Sequence, residues 1–174
     1  MGDPSSPSPV EIDETLPDLV KEFLRKGYTL EQITLHAEGY WTHKGQRFEN
    51  DRIVALFNRS VDRTEGGTWV IDVGMFVYPI EVEDCGFFVE HIQRADDAIT
   101  LHLSDGRTQT LDPHTLSYEP EGRLYCEIRQ GAFKARFKRA PYHALSDHFE
   151  QEGQTIFFAY AGAKIPLMHG APAL

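Results

Sequence analysis

Hydrophobic residues recur every three or four positions in three segments of the chain, which is the spacing of an amphipathic helix. These segments are residues 15–27, residues 51–61 and residues 141–151. Asn50 stands where its side chain would cap the second segment, and the third begins at a proline, which suits the first turn of a helix. The pattern therefore predicts an N-terminal helix and two helices further along the chain.

Most other hydrophobic segments alternate with polar residues or are rich in β-branched and aromatic residues, as β-strands are. Residues 33–38 alternate in this way, and the turn Glu38-Gly39 leads to residues 40–43, which together predict a hairpin. Further strands are predicted at residues 68–73, 99–103, 107–111, 123–129, 132–138 and 155–160, with two more within residues 76–94. Strands mixed with three helices in this order indicate an α+β fold.

Two short sequences occur twice in the same order. Ile-Thr-Leu-His stands at residues 33–36 and 99–102, and Glu-Gly-x-Thr follows a predicted helix at residues 65–68 and 152–155. A duplicated supersecondary unit produces such a repeat, and chance similarity between amphipathic strands is the alternative. We expect two repeated ββαβ-type units that form curved antiparallel sheets with packed helices.

The composition of the N-terminus differs from that of the rest of the chain. Residues 1–12 contain three prolines and three serines and few hydrophobic residues, so we predict a disordered tail. The repeat then divides the remainder into residues 13–95, with the N-terminal helix and the first lobe, and residues 96–174, with the second lobe. A chain of 174 residues is long enough for these two lobes to pack as one compact unit.

The charge of the chain limits its partners. With 17 lysines and arginines against 27 aspartates and glutamates, the net charge is −10, which argues against nucleic acid as a partner. No hydrophobic run approaches the roughly 18 residues that a membrane span requires, and the N-terminus lacks the order of a signal peptide. We therefore expect a cytoplasmic protein.

Motifs of common enzymes and metal sites are not found in the sequence. It contains no P-loop, no GxSxG and no GxGxxG after a strand, and Cys85 and Cys126 lack CxxC spacing, which predicts two buried thiols. His36 and Glu38 would share a strand face, but His43 lies beyond the turn. We therefore expect neither a metal site nor a cofactor.

Basic residues concentrate on one face of the predicted strand 132–138. Lys134, Arg136 and Lys138 alternate there with hydrophobic residues, so one face would carry three cations. Such a face could hold a phosphate group, a nucleotide or an acidic segment of a partner. The alternative is a solvated face paired with acidic residues such as Glu127, or an edge strand protected by lysine.

Several motifs occur together in one order: Gly-Tyr-Trp-Thr-His-Lys-Gly at residues 39–45, Leu56-Phe57, Val-Glu-Asp at residues 82–84 followed by Phe87, and Leu-Asp-Pro at residues 111–113. In this combination, residues 33–167 resemble the bacterial family catalogued as domain of unknown function 1285. The resemblance implies two repeated α/β motifs, similar to pleckstrin-homology-like or roll-shaped units. It also implies a role in signal transduction, without an assigned catalytic residue.

These observations lead to two hypotheses. The first is a non-catalytic regulatory or signal-transduction module that binds a small anionic ligand or a protein partner. Its surface would be formed by the cations of strand 132–138 with Arg129, joined by Trp41 and His43 where the first hairpin ends. The second is a hydrolase that uses a histidine and a carboxylate assembled between the repeats. A homodimer formed through an exposed sheet edge is compatible with the first hypothesis.

Overall fold

Short strands dominate the structure. The computed structural model describes residues 11–119 and 121–169, and within these the α-helices are α1 (Asp18–Arg25), α2 (Asp51–Ser60) and α3 (Arg139–Ala144). The first strands are β1 (Ile33–Leu35), β2 (Trp41–His43), β3 (Gln46–Arg47), β4 (Val61–Arg63), β5 (Trp69–Asp72), β6 (Val77–Pro79), β7 (Glu81–Val82) and β8 (Phe87–Arg94). They are followed by β9 (Ile99–Leu103), β10 (Thr108–Thr110), β11 (Ser117–Tyr118), β12 (Leu124–Ile128), β13 (Phe133–Phe137), β14 (Phe149–Glu152), β15 (Thr155–Tyr160), β16 (Ala163–Pro166) and β17 (Met168–His169).

The described strands form four sheets. The order is β3-β2-β1-β7 in a four-stranded sheet and β10-β9-β8-β13-β12-β11-β17 in a seven-stranded sheet. The strands β4-β5-β6 and β14-β15-β16 form two separate three-stranded meanders. The α+β class predicted from the sequence is thus confirmed.

The chain follows the same path twice. From β1 to β7, and again from β11 to β17, three strands lead to a helix, then to a three-stranded meander, and then to a short last strand. This last strand returns parallel to the first one, because β7 pairs with β1 and β17 pairs with β11. We call residues 33–82 the first unit and residues 117–169 the second unit. Strands β8, β9 and β10 lie between them, and β8 joins the second unit by parallel pairing with β13.

This path differs in its boundaries from the predicted ββαβ repeat. The Glu-Gly-x-Thr sequences lie at equivalent places, between β4 and β5 and between β14 and β15. The Ile-Thr-Leu-His sequences do not, because residues 33–36 include β1, whereas residues 99–102 belong to β9. The predicted boundary between residues 95 and 96 falls in the turn of the antiparallel pair β8–β9. The second unit therefore begins later in the chain than the sequence matches indicate.

The helices follow the sequence signals to different degrees. Asn50 caps α2 as predicted, since its Oδ1 accepts hydrogen bonds from the backbone N–H groups of Arg52 and Ile53. Helix α3 ends at Ala144, far short of residue 151, because residues 149–152 pair with β15 instead. A helical pattern of hydrophobic residues is here overridden by strand pairing.

One large group of buried side chains connects both units. It includes Leu35 and Trp41 from the first unit, Phe87 and Leu101 from the intervening strands, and Phe158 from the second unit. Each of these five side chains is at most 1% exposed. Of the predicted tail, residues 11 and 12 have no regular secondary structure, and the remainder lies outside the described residues.

Candidate functional site

Strand β13 alternates as the sequence predicts. Ala135 and Phe137 are buried, while Lys134, Arg136 and Lys138 point to the opposite face. The three basic residues therefore share one face of the seven-stranded sheet. Their surroundings differ from one residue to the next.

Arg136 connects two sheets. Its Nη1 donates to the backbone carbonyl oxygen of Ala37, 2.7 Å away, and to Oδ2 of Asp84, 3.3 Å away. The hydroxyl group of Tyr125 also donates to the Asp84 carboxylate, at 3.0 Å. Burial and the negative charge of Asp84 raise the pKa of Tyr125. With its side chain only 20% exposed, Arg136 is tied to the loop after β1 and offers little of its charge to a ligand.

Lys138 and Lys134 are more accessible than Arg136. The Nζ of Lys138 lies 2.8 Å from Oε1 of Glu90 and above the ring of Phe88. Lys134 is exposed and lies directly across from Glu127 on β12. Lys138 therefore forms an ion pair, as expected for the alternative of a paired face, while Lys134 has Glu127 opposite it in the strand register.

Arg129 lies away from the three cations of β13. Its guanidinium group packs over the ring of Phe87, at 4.4 Å, and over that of Phe133, on the hydrophobic side of the sheet. Its Nη2 donates to Oδ2 of Asp105 at 2.7 Å, while its Nε is buried with no hydrogen-bond partner in the described part of the chain. The sequence predicted that Arg129 would join Lys134 and the other cations. The structure does not bring them together.

Trp41 and His43 also lie apart from the cationic face. Trp41 is 1% exposed, and its indole N–H donates to Oδ1 of Asn58 on α2 at 2.7 Å. The Nε2 of His43 lies 2.8 Å from Oε2 of Glu31. Trp41 is a core residue and cannot contact a ligand at the surface. Its indole ring lies edge-on to Phe57 within the large group of buried side chains.

A cleft of about 320 Å³ opens beside Lys134. Arg63 adds a second cation to its lining, and Trp69 and Phe133 form an aromatic wall. The guanidinium group of Arg63 lies 5.4 Å from the Trp69 ring and 5.5 Å from the Phe133 ring. The lining also includes the acidic residues Asp84, Glu119 and Glu127. We call this the Lys134 cleft.

Sequence reasoning missed Arg63 and Trp69 because they come from a different sheet. They are direct partners in the antiparallel pair β4–β5, at the turn Gly66-Gly67. The predicted helix ended at residue 61 and the next predicted strand began at residue 68, so no strand was predicted where β4 lies. Only packing of the first meander against β13 brings the two residues to Lys134.

A second group of polar side chains lies at the end of β1. Oγ1 of Thr42 is 2.8 Å from Nε2 of His36, and Nδ1 of His36 is 2.9 Å from Oε1 of Glu83. The backbone N–H of Ala37 donates to Glu83 and lowers the pKa of its carboxyl group, with a smaller effect of His36. Thr42 is only 7% exposed. This hydroxyl–imidazole–carboxylate chain joins the first hairpin to the segment after β7.

The other sequence predictions concern the two cysteines, metal sites and membrane spans. Cys85 and Cys126 are free and buried, as predicted, and burial raises the pKa of each thiol to about 12. No group of three or more His, Cys, Asp or Glu side chains among residues 11–119 and 121–169 could hold a metal ion. In the same part of the chain, no helix is both long enough and apolar enough to cross a membrane.

Comparison with known proteins identifies solved structures with a similar architecture. Neither the protein-family models nor the curated proteins include one that matches the chain. Among solved structures, a DUF1285 family protein from Silicibacter pomeroyi DSS-3 is similar with a TM-score of 0.61 and 18% identity, over 79% of this chain and 80% of that one. Another, from Shewanella baltica OS155, is similar with a TM-score of 0.54 and 17% identity, over 70% of this chain and 94% of that one. The resemblance that the sequence motifs indicate is therefore confirmed at the level of the fold: the chain has the fold of the DUF1285 proteins, where DUF1285 stands for domain of unknown function 1285.

Proposed function

We propose that the protein is a non-catalytic binding module of the kind used in regulation and signal transduction, and that its ligand occupies the Lys134 cleft. The ligand class is a small molecule with an anionic group, and an acidic segment of a protein partner offers the same chemistry. The proposal keeps Lys134 from the site predicted by sequence. It adds Arg63 and Trp69 and leaves out the other predicted residues, which do not line this cleft: Arg129, Arg136, Lys138, Trp41 and His43.

The observation that carries this proposal is the meeting of two exposed cations with an aromatic wall. Arg63 and Lys134 both line the cleft, and guanidinium and ammonium groups are the usual partners of phosphate and carboxylate groups. Trp69 and Phe133 provide flat apolar surface for the rest of a ligand. Small-molecule sites commonly combine such a wall with a few polar groups.

The acidic side of the cleft gives the ligand an orientation. Asp84 already accepts hydrogen bonds from Tyr125 and Arg136, so part of its charge is compensated. Glu127 lies across from Lys134, where an anionic ligand would compete with it for the ammonium group. The anionic group of the ligand therefore belongs next to Arg63, with hydrogen-bond donors of the ligand directed towards Glu119.

Titration with defined anions tests the proposal. Inorganic phosphate, pyrophosphate, adenosine monophosphate and a short polyglutamate peptide are added to the full chain, with binding followed by calorimetry and by melting temperature. We expect saturable binding of at least one probe, and at least tenfold weaker binding by the double variant Arg63→Glu, Lys134→Glu. No saturable binding of any probe, or equal binding by this variant, would overturn the proposal.

Lys44→Glu is the matched control. Lys44 also has a carboxylate partner, with its Nζ 2.6 Å from Oε1 of Glu31, but it lies in the turn between β2 and β3. Reversal of its charge changes the net charge of the protein as much as reversal at Lys134 alone does, so Lys44→Glu is compared with the single variant Lys134→Glu. Loss of binding by Lys44→Glu would show that the total charge, and not the cleft, attracts the anion.

The hydrolase alternative requires a histidine and a carboxylate, predicted between the repeats; here they occur in the chain of Thr42, His36 and Glu83, at the first hairpin and directly after β7. A hydroxyl group, an imidazole and a carboxylate in this order can activate a nucleophile. The buried position of Thr42 speaks against it, because a substrate has little access to the hydroxyl group. Hydrolysis of p-nitrophenyl esters and phosphoesters, lost in His36→Ala and kept in His43→Ala, would establish the alternative.

The shared path of the two units supports the expectation of a duplicated architecture, with the second unit starting at β11. We infer that residues 33–82 and 117–169 are related units. The pleckstrin-homology-like shape, the cytoplasmic location and the homodimer stay predictions. Sedimentation in dilute solution tests the dimer, since a monomeric mass would count against it.

A further inference from the structure

Trp41, which packs between the hairpin and the helix of the first unit, has a smaller counterpart in the second unit. In the first hairpin Leu35 of β1 pairs with Trp41 of β2, and in the second unit Tyr118 of β11 pairs with Leu124 of β12. The returning strands establish the same correspondence, because β7 pairs with β1 at Leu35 and β17 pairs with β11 at Tyr118. By strand register, Trp41 and Leu124 therefore occupy equivalent positions.

In the first unit the indole ring closes the space between the hairpin and the helix. The ring centre of Trp41 lies 5.3 Å from that of Phe57 on α2, and Phe57 in turn lies 5.2 Å from Phe48. Trp41 is almost completely buried. The indole ring thus fills this position in the first unit.

The second unit has a cleft of about 220 Å³ at the equivalent position. Leucine is smaller than tryptophan, and the neighbouring side chains do not close the gap that remains. The apolar and aromatic residues that line it are Tyr118, Leu124, Tyr142, Phe149, Ile156 and Leu167. We call it the Leu124 cleft. Its volume lies below the range of drug-sized ligand sites, so a ligand in it is small.

One carboxylate gives this apolar cleft a charge. Glu119 lies in its lining, next to the aromatic residues. The hydroxyl group of Tyr118 already has a partner, Nε2 of His169 at 2.9 Å. Among residues 11–119 and 121–169, the hydrogen-bond partner of Oε2 of Glu119 is the hydroxyl group of Tyr125, at the long distance of 3.4 Å. Aromatic walls with one weakly engaged carboxylate are complementary to an aromatic ring that carries an ammonium group.

We propose that the Leu124 cleft binds a small aromatic amine, with its ring beside Leu124 and its ammonium group at Glu119. The ring would occupy the space that the Trp41 indole fills in the first unit. Glu119 lines both this cleft and the Lys134 cleft, but the apolar lining of the Leu124 cleft comes from the second unit. The two proposals are distinguished by variants that each change one cleft: Leu124→Trp changes the Leu124 cleft, and the double variant Arg63→Glu, Lys134→Glu changes the Lys134 cleft.

The test compares amines with acids of the same ring. Tryptamine and phenethylamine are titrated into the full chain by calorimetry, with indole-3-acetate and phenylacetate as probes of opposite charge. We expect saturable binding of at least one amine and at least tenfold weaker binding of the matching acid. Glu119→Gln should remove most of this preference, since it keeps the size of the side chain but not the charge. Equal binding of the amine and the acid by the native protein would overturn the role of Glu119.

Leu124→Trp tests the cleft itself. This variant reproduces in the second unit the side chain that fills the first unit, so we expect at least tenfold weaker amine binding without a lower melting temperature. Ile156→Phe, which narrows the cleft from another strand, should weaken binding in the same direction if Leu124→Trp does not fold. The matched control is Leu19→Trp on α1, where the side chain is 75% exposed and binding should not change. No saturable binding of either amine, or native affinity in folded Leu124→Trp or Ile156→Phe, would overturn the proposal.

Discussion

Nη1 of Arg136 lies 2.7 Å from the backbone carbonyl oxygen of Ala37, so a basic side chain of β13 is hydrogen-bonded to the loop that follows β1. This contact joins the seven-stranded sheet to the four-stranded one. Because the same guanidinium group also donates to Asp84, its positive charge is compensated within the protein. A residue that the sequence indicated for ligand binding thus stabilises the contact between two sheets.

Replacement of Arg136 by Met should therefore reduce stability. The change leaves the Ala37 carbonyl group and the largely buried Asp84 carboxylate without this donor, which should cost about 2–4 kcal/mol of unfolding free energy. Urea denaturation measures the loss. Lys134→Met is the matched control on the same face, and since Lys134 is exposed we expect a change of no more than about 0.5 kcal/mol. A similar loss in both variants would contradict the structural role of Arg136.

The hydrogen bond between Trp41 and Asn58 leads to a second prediction. Asn58→Ala leaves the buried indole N–H without an acceptor and should destabilise the protein by about 1–3 kcal/mol. Asn58→Asp keeps an acceptor oxygen at the same place and should lose less. Thermal unfolding of the two variants compares them. If Asn58→Ala were as stable as the native protein, the indole would not depend on this acceptor.

The two cysteine thiols should not react with alkylating reagents in the folded protein. Burial raises the pKa of the Cys85 thiol to about 12, with a further contribution from the charge of Asp84, and burial also raises that of Cys126 to about 12. The reactive thiolate is therefore scarce at neutral pH. Iodoacetamide at pH 8 should label neither thiol until urea unfolds the protein. Rapid labelling of the native protein, read by mass spectrometry, would contradict their burial.

Asp13 should make stability depend on pH in the acidic range. Its carboxylate accepts hydrogen bonds from the hydroxyl groups of Thr15, Thr64 and Thr68, which hold its pKa well below the ordinary value. A lowered pKa in the folded state means that the stabilisation is present above about pH 4 and is lost as the pH falls below it. The difference in melting temperature between native protein and Asp13→Asn should therefore shrink from pH 7 to pH 2. A difference that stays constant over this range would show that the charge of Asp13 has no such effect.

Features that depend on neighbours in the sequence were predictable. The Asn50 cap, the alternation of β13 and the hairpin of residues 33–43 depend on the period of hydrophobic residues and on turn chemistry. The same holds for the two buried thiols, because cysteines without a metal or redox spacing are usually core residues. These signals are local, and the tertiary structure left them unchanged.

The extent of α3 and the roles of the basic residues were decided by contacts between distant segments. Residues 149–152 pair with β15 as a strand, although the hydrophobic pattern predicted a helix there. Arg129 packs on the aromatic rings of Phe87 and Phe133, on the hydrophobic side of the sheet. Which residues meet at the Lys134 cleft depended on how the first meander packs on β13.

The amino-acid sequence alone determined the α+β class, the cap of α2 and the faces of β13, because each of these follows from the spacing of residues along one segment. Only the tertiary structure determined that the charge of Arg136 is compensated by Asp84, that Trp41 is buried and that Leu124 lies beside an open cleft. The physical reason is that a charge is compensated, or a space filled, by side chains far apart in the chain.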